Sequence, residues 1–288
     1  MPDDHGKWIV ETDWLEQHLA APDLVVLDAS WCGPSSDRNA RTEYENEHIP
    51  GALYFDIDEI ADTNAPLAHT LPSSVKFSSM VRKMGIGDGM RIVVYDRDGL
   101  FSAARAWWMF RVMGVKEVSV LNGGLKKWLA ENRAIEDLPP TPRGQRHFTA
   151  RVDAQLLREM SDVAGAVQHK APQIVDARSA ERFMGQVEAD SDDMRVGHIP
   201  GSTNLPYAML LNEDGTLKDT DTIRQLFESA GVDLNQPIIT TCGSGITAAI
   251  LSLSLSLLGH RQWSLYDGSW AEWGANHDLP IATAANIS

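Results

Sequence analysis

Apolar residues fall along this chain in two patterns that take turns. VVLDA (25–29), RIVVYD (91–96), VSVLN (118–122) and PIITT (237–241) are short and mostly apolar on both faces. That is the pattern of strands buried in a parallel sheet. Between them lie longer helical stretches such as SAARAWWMFRVMG, which ends at Gly114, a residue suited to close a helix. Regular alternation of the two predicts an α/β fold, with parallel sheets flanked by helices on both faces. ILSLSLSLLG (250–259) obeys neither rule cleanly. Its alternation has the period of a strand. On a helical wheel, however, Leu251, Leu255 and Leu258 share one face, and Ile250, Leu253 and Leu257 another. We expect a helix buried on two sides.

The pattern also repeats. LVVLDAS (24–30), HIPGALY (48–54), RIVVYDRDG (91–99) and VLNGGLKKW (120–128) return in the same order as QIVDARS (173–179), HIPGSTN (198–204), PIITTCGSG (237–245) and LYDGSWAEW (265–273). Four matched segments in one order predict two copies of one domain. The join is expected near LPPTPRGQRHF (138–148), whose prolines and glycine oppose regular structure. The expected division is a first domain over 1–141, a boundary around Pro142 with a surface linker over 142–150, and a second domain over 151–288. His48 and His198 fall in matched turns and are given structural roles.

Composition narrows the partners. The 288 residues include 25 Lys and Arg against 40 Asp and Glu, a net charge of −15. The excess is spread over both halves, so no basic lobe exists to bind nucleic acid. No run approaches the ~18 apolar residues of a membrane span. Two cysteines, Cys32 and Cys242, exclude a disulfide scaffold and a cysteine zinc cluster. The stretch MPDDHGKWIVETDW lacks the basic start and apolar run of an export signal, so a reducing cytosol is the expected setting. GIGDG (85–89) is read as a turn and ADSDD (189–193) as a solvated loop.

Chemistry concentrates in PIITTCGSGITAAI. A buried strand ends at Thr241, Cys242 follows, and Gly243, Ser244 and Gly245 lead into a helix. Backbone N–H groups of such a turn, backed by a helix N-terminus, form an anion cradle. A cysteine held there is expected to react as its thiolate. A Cys-x5-Arg phosphatase loop would need arginine at 248, where Ala248 stands. A small anionic adduct such as a persulfide suits the cradle better. Asp96 occupies the matching place in the first half and cannot carry sulfur, so that domain is expected to be structural. Cys32 follows its strand outside any cradle.

The paired HIPG turns, the CGSGIT loop in the second half alone and the closing DGSWAEW resemble the tandem rhodanese-type sulfurtransferases, over nearly the whole chain. Within that family the loop resembles the branch that takes sulfur from 3-mercaptopyruvate; thiosulfate-using members carry two basic residues after the cysteine. The resemblance implies two rhodanese-like domains and transfer of sulfur from 3-mercaptopyruvate through a Cys242 persulfide. Pyruvate is released, and the acceptor is a thiol such as thioredoxin, a small thiol, or cyanide. No metal or organic cofactor is implied. It further implies that Ser244, His69 and Asp58 form a proton-relaying chain, with His69 and Asp58 reaching the loop from the first domain. Arg182 is implied as the substrate clamp, and Gly243, Gly245, Ile246 and Thr247 line the cradle. A second family arginine aligns with Ser191; Arg195 is the candidate to replace it. Arg178 is expected to be structural. A thiosulfate sulfurtransferase and a non-catalytic sulfur-carrying or docking module are the alternatives.

Overall fold

The computed structural model describes residues 5–33, 36–141, 143–188 and 194–284. It contains two five-stranded sheets of identical plan. The first has the order β1-β5-β4-β2-β3, with β1 Ile9–Val10, β2 Leu24–Asp28, β3 Leu53–Tyr54, β4 Arg91–Tyr95 and β5 Val118–Leu121. The second has the order β6-β10-β9-β7-β8, with β6 Leu157–Arg158, β7 Gln173–Asp176, β8 Thr203–Asn204, β9 Ile238–Thr241 and β10 Trp263–Tyr266. Every pairing is parallel. All five residues of β2 and all four of β9 are buried, so both faces of each sheet are covered.

The repeat extends to single hydrogen bonds. Ala29 N–H donates to Tyr95 O, and Ala177 N–H to Thr241 O, both at 2.8 Å. Asp28 faces Tyr95 in register, and Asp176 faces Thr241. The next residues, Asp96 and Cys242, are therefore equivalent in three dimensions as well as in sequence. The HIPG histidines are buried in the same way. Nδ1 of His48 bonds Tyr44 O at 2.7 Å, and Nδ1 of His198 bonds Phe183 O at 2.8 Å. Each ring stacks on an aromatic neighbour, Tyr44 or Phe183.

Each unit has its own core. Leu15, Val26, Val93, Tyr95, Leu125 and Trp128 pack in the first. Val163, Ile174, Ile239, Tyr266, Trp270 and Trp273 pack in the second. The segment that defied a simple periodicity is the helix Ala248–Leu257, buried from Ala248 through Ser256. Two of its serines, Ser252 and Ser256, are compatible with burial because their hydroxyls are bonded at short range. Ser252 Oγ meets Thr240 Oγ1 at 2.8 Å, and Ser256 Oγ donates to Ser252 O at 2.9 Å. Trp107 and Trp108 are fully buried in the helix Ala103–Val112.

The boundary falls later than the sequence suggests. One compact unit comprises Met1–Asn64, Leu71–Asp153 and Leu211–Leu217; the other comprises Ala65–Thr70, Ala154–Leu210 and Lys218–Ser288. The expected linker is a fastened tail of the first unit. Arg82 donates to Phe148 O through Nε and Nη2 at 2.9 and 2.7 Å, and Asp88 N–H donates to His147 O at 2.9 Å. Phe148 itself is buried. Pro142 lies outside the described residues.

Candidate active site

Strand β9 lies between β7 and β10, so the chain leaving Thr241 emerges from inside the sheet at its C-terminal edge. In open parallel sheets ligands bind at that edge. Cys242 is 1% exposed there. The helix behind it begins at Ala248, with Thr247 at its N-cap. Gly245 takes φ +81°, which turns its N–H back onto Cys242; the distance to Sγ is 3.2 Å. The backbone of this loop is clasped by the segment after β10. Trp270 N–H donates to Cys242 O at 3.0 Å and Ala271 N–H to Gly243 O at 2.8 Å. Cys242 N–H donates to Ser269 Oγ at 3.3 Å.

Gly243 opens onto a shallow cleft that is also lined by Arg178, Arg182, Arg195 and Trp270. The three arginines do different work. Arg182 is exposed at the cleft, on the short helix Ala180–Met184 that Ser179 caps. Arg178 is buried, as its structural assignment requires. Its guanidinium forks onto both oxygens of Asp176, with Nη2 at 2.7 Å, and lies 4.6 Å from the centre of the Trp270 ring. Arg195 corrects the reading of the sequence. Its guanidinium donates to four carbonyls: Gly274 O at 3.0 Å, Leu279 O at 2.9 Å, Trp273 O at 3.1 Å, and Asn276 O. A fork so fully engaged fastens the end of the helix Ser269–Trp273 and does not clamp a substrate. Ser191, with all of 189–193, lies outside the described residues.

The three residues expected to relay a proton are distributed unevenly. Ser244 is half-buried in the cysteine loop. His69 is buried, at φ +63°, on the Ala65–Thr70 segment, which belongs to the same compact unit as Ser244. The segment lies within the first sequence repeat but groups with the second compact unit. Asp58 does belong to the first unit, where it is exposed and accepts Trp31 Nε1–H at 3.0 Å. The sequence reading missed Ser269 and Trp270 as supports of the cysteine. The repeat carried the signal, since DGSW answers NGGL.

The equivalent loop of the first unit is filled by its own side chain. Asp96 Oδ2 accepts N–H bonds from Phe101 at 2.7 Å and from Ser102 and Ala103 at 2.8 Å. Oδ1 accepts from Asp98 N–H at 3.1 Å. Burial pushes the Asp96 carboxyl above its usual range, while these N–H groups pull it back. The loop geometry is thus a working anion cradle, occupied by a tethered carboxylate. Cys32 is a free thiol after β2, pushed up mainly by burial.

Comparison with known proteins agrees with this geometry. The family "Rhodanese-like domain" matches residues 11–131 and 156–276. The 3-mercaptopyruvate sulfurtransferase of Escherichia coli (strain K12) is 42% identical over 276 residues, covering 95% of this chain and 97% of that protein. A thiosulfate sulfurtransferase of Cricetulus griseus is also 42% identical, over 282 residues that cover 96% and 94%. The crystal structure of SseA from Escherichia coli, a 3-mercaptopyruvate enzyme of the rhodanese fold, superposes with a TM-score of 0.84 at 40% identity. It covers 92% of this chain and 99% of that one.

Proposed function

The chain belongs to the rhodanese family, with two rhodanese-like domains in tandem, and from that membership we propose that it is a 3-mercaptopyruvate sulfurtransferase acting through a persulfide on Cys242. The Cys242 thiolate attacks the sulfur of the donor. An S–S bond forms, the C–S bond breaks, and its electron pair leaves on carbon as the enolate of pyruvate. Ser244, supported by His69 of the same compact unit, supplies the proton that enolate takes up. Arg182 holds the donor carboxylate. A thiol acceptor, thioredoxin or a small thiol, then attacks the outer sulfur. That step transfers the sulfur and returns Cys242 as thiolate, a double displacement.

The filled loop of the first unit supports the persulfide. In aspartate a terminal oxygen lies two bonds beyond Cβ, and in a cysteine persulfide the terminal sulfur does too. Asp96 therefore stands as a permanent analogue of the loaded cysteine. Counted back from the first helical residue, its donors Phe101, Ser102 and Ala103 correspond to Ile246, Thr247 and Ala248. We assign those N–H groups to the outer sulfur, with Gly245 N–H on Sγ.

Relatives named for either donor reach 42% identity, so support for 3-mercaptopyruvate comes from the loop. The observation that carries the reading is the uncharged turn Gly243–Ser244–Gly245 beside a cleft edged by Arg182. Thiosulfate is a dianion that reacts at the cysteine itself and gains from cations on the loop. 3-Mercaptopyruvate carries one negative charge, remote from its sulfur. We expect kcat/KM for 3-mercaptopyruvate with a thiol acceptor to exceed that for thiosulfate with cyanide by at least about tenfold, near 1.4 kcal/mol. Both activities are expected to vanish in Cys242→Ser. Equal values would favour a thiosulfate enzyme with an uncharged loop.

A further inference from the structure

Ser269 has a backbone conformation that residues with a Cβ avoid, φ +50°, and it is fully buried. The repeat supplies an internal control. Its counterpart in the first unit is Gly124, at φ +53°. The two sit in the same local bonding pattern, because Leu125 N–H donates to Asp96 O at 2.9 Å where Trp270 N–H donates to Cys242 O. Glycine is the residue this backbone favours. The catalytic copy has serine in its place, so the hydroxyl is the feature to explain.

That hydroxyl is inserted into the sheet. Between β9 and β10 the ladder includes Ile238 N–H to Gln262 O, and the register pairs Thr240 with Leu265. In a parallel ladder, donors on one strand recur every second residue. Continued past Thr240, the next rung is Cys242 N–H to Tyr266 O. Ser269 Oγ occupies that rung. It accepts Cys242 N–H at 3.3 Å and donates to Tyr266 O at 2.9 Å. The hydroxyl acts as a one-atom spacer that holds the end of β9 away from β10 and leaves both backbone groups bonded. Cys242 is the first residue past this wedge.

We propose that Ser269 is a positioning residue for the nucleophile: its hydroxyl sets the backbone of Cys242 so that Sγ meets the N–H groups of its own loop. Without the wedge, either the rung closes directly or Cys242 N–H is left unbonded. Either outcome is expected to shift Sγ relative to Gly245 N–H. The kinetic part of this proposal rests on the sulfur-transfer reading, whereas the thiol's reactivity does not.

The test uses the full chain with Ser269→Gly, which keeps the backbone that Gly124 adopts, and Ser269→Ala, which keeps the Cβ. Alkylation of Cys242 by iodoacetamide is followed by peptide-resolved mass spectrometry, so that Cys32 is counted separately. For variants with a Tm at or near that of the wild type, we expect alkylation of Cys242 and kcat with 3-mercaptopyruvate each to fall about tenfold, with KM within about twofold. Alkylation and kcat within about twofold of wild type would overturn the proposal. So would a rise in KM alone, which would mark a substrate contact, or failure of both variants to fold, which would mark a purely structural residue. If the wild type does not turn over the donor, the functional reading fails, and alkylation alone decides the role of Ser269.

Discussion

Asp28 and Asp176 hold the same place in the two sheets, and the residue two positions on gives each a different charge environment. After Asp176 comes Arg178, which forks onto its carboxylate, and the pair is buried as a unit. After Asp28 comes Ser30, which carries no charge and whose N–H donates to it at 2.9 Å. Burial without a cation pushes Asp28 up to about 6, against the pull of its hydrogen bonds from Ser30 and Tyr95. A carboxyl raised on folding binds its proton more tightly in the native state. Its contribution to stability is therefore complete below its unfolded value and is lost as pH rises through about 6. Asp28→Asn cannot titrate. Its stability relative to wild type should improve by about 3 kcal/mol between roughly pH 3.5 and 8, followed by urea denaturation. A difference that stays constant with pH would show that Asp28 does not titrate in this window. The two aspartates were visible in the sequence as a repeated Asp-Ala. That one would be neutralised and the other left alone was not visible, because Arg178 could have pointed to solvent.

The cysteine loop depends on the short helix Ser269–Trp273, which is held at both ends. Its first N–H groups bond the carbonyls of Cys242 and Gly243, and Arg195 gathers the carbonyls at and beyond its last turn. Trp270 Nε1–H closes the arrangement on Arg195 O at 3.0 Å. Arg195→Ala should cost about 3 kcal/mol, since it strands several part-buried carbonyls at once. Arg195→Lys should restore little of it, because an ammonium cannot reproduce a planar fork. At a temperature where the Ala variant is folded, KM for 3-mercaptopyruvate should stay near the wild-type value. A KM rise with unchanged Tm would return Arg195 to the substrate clamp. The helix Ala248–Leu257 was legible from its wheel, because leucines and isoleucine covered two faces. The fastening role of Arg195 was not, since its partners lie about 80 residues on and are carbonyls, which no side-chain motif encodes.

Across the whole molecule, one fold appears twice and only one copy carries the cysteine. The first loop differs by more than one residue. It is one residue longer before its helix, with the N-cap at Ser102 where the second has Thr247. Ion pairs hold it, among them Arg97 to Glu47 at 2.7 Å and Arg38 to Asp98 at 2.9 Å, whereas Gly243 opens on free space. Asp96→Cys in a Cys242→Ser background should therefore acquire no sulfur from 3-mercaptopyruvate, as read by intact mass. A persulfide on residue 96 would mean that the side chain alone separates the two copies. The sequence by itself determined the duplication, the parallel sheets and the glycine-rich loop that follows Cys242. Those rest on apolar strand runs and glycine turns, which act over a few residues and leave a local signature. The tertiary structure decided where the first unit ends, that 65–70 belongs with the second unit and 211–217 with the first, which arginine is committed to carbonyls, and which hydroxyl bonds the Cys242 N–H. Each of those is a pairing between distant segments, fixed by which backbone groups remain unsatisfied once the sheets have formed.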